Sequence, residues 1–309
     1  MVITPSVRTI AGVTAESNTN RNGRDSIRLD STTSRRKNLG MTEVNKRAPR
    51  IHQQSLNDLR ITVLSDGTGR IDPRMHLGRA PEAERDAALA QAGIDPDGFE
   101  LPINVVLLER GGTRVLIDTG SGYRARPQQG ILLDSLALAD LAPADIDVVL
   151  LTHFHGDHVG GAVDEDGELV FANARHYMAS MEWQHANSEE RLAGLKPGKA
   201  DHERELLRAL QADIELVNPG TQIADRVEIL DARGHTPGHL VVLAHAGDEG
   251  LLHVTDAVLL PLQWDHLDWI AESDSPAVAT TRQELAALAQ RDRLLVSGAH
   301  FPWPGVMRL

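Results

Sequence analysis

Apolar residues in this chain gather in short β-branched runs that stop abruptly at polar clusters, with stretches of helical period between them. Ile61-Thr62-Val63-Leu64 reads as a strand closing on the turn Ser65-Asp66-Gly67-Thr68-Gly69. Residues 81–93 have Pro at the start and Gly just past the end of a helical stretch. Residues 102–109 and 114–118 pair as a hairpin across Arg110-Gly111-Gly112-Thr113. A helix over 131–141 and a strand over 147–151 follow. The second half repeats this character. It has a strand at 175–178, a helix through Met181 and Trp183, and an amphipathic helix at 201–212. Strands at 227–230, 240–244 and 251–254 come next, then a long helix at 276–290 and a last strand at 294–296. Two β-then-α halves predict an α/β fold in which helices flank two packed sheets. Nothing inside residues 55–309 is long enough to be a linker, so a single domain is expected there.

Residues 1–40 break the pattern. Ser, Thr, Asn and Arg dominate, with seven basic against three acidic side chains, so the remaining chain carries a charge near −17 of the total −13. Such composition predicts a disordered polar N-terminal extension over 1–50. An Arg- and Ser-rich segment also fits a transit-like role, though it lacks an apolar h-region, or an upstream start before Met41. The acidic balance argues against a partner whose phosphate backbone must be neutralised, so no nucleic acid is expected. No apolar run is long enough to cross a bilayer, so no membrane partner is expected either, and the protein is placed in the cytoplasm. The chain has no cysteine, which excludes thiolate metal sites, disulfides and a cysteine nucleophile.

The chemistry concentrates where Val148-Val149-Leu150-Leu151 gives way to Thr152-His153-Phe154-His155-Gly156-Asp157-His158. Three imidazoles and a carboxylate within six residues are costly in a core unless a cation pairs them. Alternate residues of an extended segment point the same way, so His153 and His155 can reach one ion. A turn at Gly156 would swing Asp157 and His158 towards a second, with Gly156 and Gly160-Gly161 relieving backbone crowding. Four groups cannot complete two coordination spheres, so later strand ends should supply more. His235 follows the strand at 227–230, Asp256 the one at 251–254, and His300 the one at 294–296. An aspartate between two ions can give one oxygen to each, the role assigned to Asp256.

With Asp118-Thr119-Gly120, the histidine-rich run, Gly234-His235-Thr236-Pro237-Gly238-His239, Thr255-Asp256 and Gly298-Ala299-His300 in place, residues 60–305 resemble the metallo-β-lactamase-fold hydrolases. The resemblance implies a four-layer αβ/βα sandwich with a dinuclear site at one edge of the two sheets. It implies His153, His155 and His235 on one metal and Asp157, His158 and His300 on the other, with Asp256 and a water or hydroxide bridging. Asp118 would orient the histidine loop from behind, and Asp157 could also shuttle a proton. Two divalent ions are expected, zinc first, with manganese, iron or cobalt suited by the same donors.

Within that superfamily the segments 66–68, 256–264 and 297–305 are similar to the methyl parathion hydrolase-like and lactonase-like branch. Acyl-homoserine lactonases of the fold carry a tyrosine three residues after the bridging aspartate, where this chain has Leu259. The resemblance implies hydrolysis of small-molecule esters: lactones, carboxylesters and organophosphate triesters. A hydroxyacylglutathione hydrolase-like thioesterase and a catalytically silent metal-stabilised binding protein are the competing readings. His239 is expected behind the ligands or capping a strand rather than on a metal. Trp183, Trp264, Phe301 and Trp303 are candidates for a pocket wall or for plain core packing. His176, His185, His202, His245, His253 and His266 show no ligand spacing. The 81–93 helix is a candidate for the site mouth or for homodimer contacts.

Overall fold

The computed structural model describes residues 48–309; most of the expected polar extension over 1–50 lies outside them. Seven strands form the first sheet, in chain order: β1 (Ile51–Leu56), β2 (Leu59–Arg70), β3 (Glu100–Arg110), β4 (Thr113–Ile117), β5 (Val148–Leu150), β6 (Arg175–Ala179) and β7 (Ile214–Val217). The first four pair antiparallel and the last four parallel. The second sheet contains β8 (Gln222–Ala224), β9 (Val227–Asp231), β10 (Leu240–Ala246), β11 (Glu249–His253), β12 (Leu295–Ser297) and β13 (Val306–Met307), in the order 13-12-11-10-9-8.

Strand alternation sorts side chains into layers. Ile61, Val63, Val106, Leu108, Ile117 and Leu150 point between the sheets and meet Ile229, Leu240, Val242 and Leu251. Leu64, Val105, Leu107, Leu116 and Val149 point the other way, onto helices that include α2 (Leu132–Leu138) and α6 (Pro197–Leu210). On the far side Val241, Leu243, Leu252 and Val296 pack against Leu285 and Ala289 of α7 (Ala277–Arg291). The result is the αβ/βα sandwich. The shorter helices α1 (Glu82–Gln91), α3 (Gly156–Val159), α4 (Ser180–Ala186) and α5 (Glu189–Ala193) fill the connections.

One sequence expectation fails instructively. The run 65–69 has turn composition, yet β2 continues through it to Arg70. A bulge between Ser65 and Gly67 absorbs the irregularity. Gly67 takes φ +100°, and a Cβ there would come within 2.0 Å of the Gln128 carbonyl oxygen, so only glycine fits. The bulge lies beside Asp66, which is buried and accepts hydrogen bonds from the backbone N–H groups of Ser121 (2.8 Å) and Leu132 (2.9 Å).

Strand direction collects the chemistry. β4 and β5 run parallel, and so do β11 and β12; β9 is antiparallel to β10, which is antiparallel to β11. The C-terminal ends of β9, β11 and β12 therefore share one edge of the second sheet.

Candidate metal centre

β5 ends at Leu150 and leads into extended backbone at His155 (φ −90°, ψ 150°), after which the single turn of α3 carries Asp157 and His158. His235 lies in the loop after β9, Asp256 three residues past β11, and His300 three residues past β12. Packing this loop cluster requires close backbone approach. A Cβ on Gly161 would come within 2.0 Å of the Thr119 carbonyl oxygen, so the glycine pair is used as expected. Gly156 has open space around its Cβ position, so crowding does not explain it.

Two donor sets result. Donor atoms of His153, His155, His235 and Asp256 all lie within 4.8 Å of one another, as do those of Asp157, His158 and His300. In the first set His155 Nδ1 stands 2.9 Å from His153 Nε2 and 3.0 Å from His235 Nε2. Asp256 joins the sets: Oδ2 is 3.4 Å from His235 Nε2 and 3.9 Å from His153 Nε2, whereas Oδ1 is 3.2 Å from Nε2 of both His158 and His300. Asp157 Oδ2 lies 3.6 Å from His300 Nε2. His158 Nε2 and Asp256 Oδ1 are buried and make no hydrogen bond, although they face each other. Orphaned buried polar atoms of this kind cost about 1–3 kcal/mol each, and a cation between them removes that cost. Imidazole and carboxylate donors fit zinc and its borderline neighbours.

The outer nitrogens of several rings are tethered, which fixes each ring's orientation. His158 Nδ1 donates to Asp118 Oδ2 (2.7 Å), and His300 Nδ1 to the Pro102 carbonyl (2.7 Å). His235 Nδ1 faces Asp274 Oδ1 at 3.3 Å. Asp118 also accepts from the Thr152 N–H (2.8 Å) and hydroxyl (2.9 Å), which anchors the start of the histidine loop. Asp118 and Thr255 both hold positive φ (+66° and +45°), a conformation costing about 1–3 kcal/mol off glycine. His239 touches neither donor set through a free nitrogen. Its Nδ1 donates to the Ala232 carbonyl (3.0 Å), and its Nε2 accepts from the Thr255 hydroxyl (2.7 Å) and the Asp256 N–H (3.4 Å). It therefore positions the residue that joins the two sets.

Electrostatics agree with this division. Burial alone would raise the Asp256 carboxyl, but the imidazoles of His300 and His158 hold it well below the usual carboxylate range. Burial would lower His158, and the carboxylates of Asp256, Asp118 and Asp157 instead hold it well above the usual imidazole range. Burial pushes His239 down to about 3 and His253, whose Nδ1 meets Ser297 Oγ at 2.8 Å, down to about 4. An unfolded imidazole titrates near 6.5. Between that pH and the depressed value the unfolded chain binds protons that the folded ring refuses, so this stability is complete above about pH 6.5 and is lost on acidification. Metal-free wild type should lose more melting temperature between about pH 7 and about pH 5 than His253→Asn does. Equal losses would show that the buried ring does not contribute.

The structure also adds residues that the sequence did not mark. Glu182 of α4 is buried; Oε1 accepts from the Phe154 N–H (2.9 Å), and Oε2 accepts from the Thr236 hydroxyl (2.7 Å) and the Gly238 N–H (3.0 Å). It ties the His153–His155 loop to the His235 loop. Asp274 orients His235. His76, half-buried on the short turn Pro73–Leu77, is near enough to feel the charges of Asp256, His300 and His235, although burial is what chiefly lowers its pKa. Its only sequence signal is an isolated histidine. Of the aromatic candidates, Phe301 is buried beside α7, while Trp264 on the same cluster, Trp183 against the helices outside the first sheet and Trp303 between the sheets are partly buried. Leu259 is buried with Leu77, Leu89 and Trp269.

A sequence model of the metallo-β-lactamase superfamily matches residues 98–300, more than half of the chain. The chain belongs to the metallo-β-lactamase superfamily. It is similar to a probable metallo-hydrolase of Mycobacterium tuberculosis, 27% identical over 215 residues, covering 61% of this chain and 68% of the relative. It is also similar to the N-acyl homoserine lactonase AttM of Azorhizobium caulinodans, 26% identical over 236 residues and covering 67% and 85%. Among solved structures, the dizinc quorum-quenching lactonase AidC in complex with a product superposes with a TM-score of 0.77 at 25% identity, covering 84% of this chain and 93% of that one. As a member of this superfamily with an intact His/Asp cluster, the protein is a metallo-hydrolase. No helix among the described residues is long and apolar enough to cross a membrane.

Proposed function

We propose that the protein hydrolyses small-molecule esters, lactones and carboxylesters first and phosphotriesters within range, using two divalent ions. The observation that carries this reading is Asp256, whose two oxygens face separate donor sets. In this reading His153, His155 and His235 would hold one ion and Asp157, His158 and His300 the other, with Asp256 reaching both. When bound, such a pair supplies Lewis acidity at the scissile carbonyl or phosphoryl group and an activated water near neutral pH.

The chain's own residues do the rest. Asp118, Asp274 and the Pro102 carbonyl hold three imidazoles with the outer nitrogen protonated and the inner lone pair turned to the centre. Asp157, with about a third of its side chain exposed, is the one ligand carboxylate that substrate can reach. Its other oxygen is assigned to take the proton released by the attacking water and pass it to the departing oxygen. Leu259 is packed away and offers no phenol, so acyl-homoserine lactones are not placed ahead of other lactones. Similarity to the lactonases AttM and AidC supports the ester class.

The test is a chromogenic screen of lactone, carboxylester, phosphotriester and thioester substrates on protein of measured metal content. The expected result is lactone or carboxylester turnover that disappears in chelator and returns with zinc. Turnover by metal-free protein, or thioester turnover alone, contradicts the reading.

A further inference from the structure

The groove beside Asp157 has a volume of about 430 Å³, and Arg124, Arg126 and Lys199 line it together with His202, whose pKa burial lowers. Leu101 and Ile103 supply apolar surface on the same groove. Three formal cations around one opening run against the chain's net charge of −13, so they are not a sample of its average surface. Only one of the three is closely paired. Arg126 forms no ion pair with any described residue. Lys199 Nζ stands 3.7 Å from Glu203 Oε1, a carboxylate already bound at 2.6 Å by Arg191. Only Arg124 has a close partner, Glu205, at 2.8 Å. The one acidic residue lining the groove is Asp157, which the proposed centre occupies as a ligand.

A groove that joins a reacting centre to a ring of exposed cations discriminates by charge. It concentrates anionic ligands, and an arginine fork reads carboxylate or phosphate oxygens in pairs. We propose that the substrate of this hydrolase is an ester carrying a terminal anionic group, a carboxylate or a phosphate, seated on Arg126 and Lys199 with Arg124 beside them while the ester lies at the metal centre. The inference rests on the ester-hydrolase reading above and adds a substrate class to it.

The experiment compares para-nitrophenyl valerate with mono-para-nitrophenyl glutarate and its terminal phosphonate counterpart on the metal-loaded full chain, alongside glutarate binding by calorimetry. At low salt the kcat/KM ratio of anionic to neutral ester should be about tenfold, the scale of one or two partly screened charge pairs. It should fall as salt is raised. Arg126→Gln/Lys199→Gln should bring the ratio close to one and weaken glutarate binding by about the same factor. Arg208→Gln, an exposed cation of α6 outside the groove, should keep the wild-type ratio. Preference for the glutarate or the phosphonate ester identifies which anion the site takes, and either supports it. A wild-type ratio near one, or a ratio that the double variant does not change, overturns the proposal and leaves the hydrolase reading standing. If no ester is hydrolysed, the hydrolase reading fails and the glutarate measurement decides alone: binding that the double variant weakens upholds the anion site, and absent or unchanged binding overturns it.

Discussion

Asp256→Ala is expected to reduce hydrolysis by at least about a thousandfold and to release both metal ions, because several kcal/mol of charge stabilisation depend on one carboxylate. Oδ2 serves His153 and His235, and Oδ1 serves His158 and His300. No other described carboxylate reaches both donor sets. Its removal leaves five imidazoles with Asp157 as the only anion, so each position loses both a ligand and the charge that offsets a divalent cation. Asp256→Asn keeps the shape and one acceptor oxygen and should fall between wild type and alanine. Turnover measured beside metal content checks both variants. An alanine variant that keeps two ions and full activity would remove the bridging role.

Glu182→Ala should give the largest loss of stability among residues outside the donor sets. Its carboxylate satisfies three donors, the Phe154 and Gly238 N–H groups and the Thr236 hydroxyl, in a buried setting. A buried donor left unsatisfied costs about 1–3 kcal/mol, and partial rescue by water brings the sum to about 3–5 kcal/mol. For a domain of this size that corresponds to a fall in Tm of roughly 10 °C. The same variant loosens the spacing between the His153–His155 loop and the His235 loop while leaving Asp118, His158 and His300 tethered. Metal affinity should therefore drop at the first position more than at the second. Glu182→Gln retains one acceptor and should recover part of both losses. A thermal melt matching wild type, or equal weakening of the two positions, would contradict the clamp.

The two residues differ in how readable they are from sequence. Asp256 follows an apolar run, and so do His235 and His300. A polar residue shortly after a buried strand is a local signal, so the seven residues that the fold gathers into two clusters could be picked out before it was known. Glu182 sits among Met181, Trp183 and Gln184 on a short helix, where a carboxylate reads as solvated surface. Its partners are 28, 54 and 56 residues away, and only tertiary packing brings them together. Asp274 was hidden in the same way.

Misreadings of the fold have equally local causes. Ser65-Asp66-Gly67-Thr68-Gly69 has the composition of a turn, but the neighbouring strand overrides it and the glycine makes a bulge instead. The edge strands β1, β7, β8 and β13 are short or half-exposed, so hydrophobic alternation is too weak to mark them. Phe301, a candidate for a pocket wall or for core packing, is buried in the cluster beside α7. His202 showed no ligand spacing, yet α6 places it in the groove beside Asp157.

Native mass spectrometry of the full chain, purified with zinc and then exchanged into volatile buffer, tests the two-ion centre most directly. The expected spectrum shows two divalent ions per wild-type chain and none on Asp256→Ala. A single ion on the wild type, or two ions retained by the alanine variant, would contradict a centre joined through Asp256.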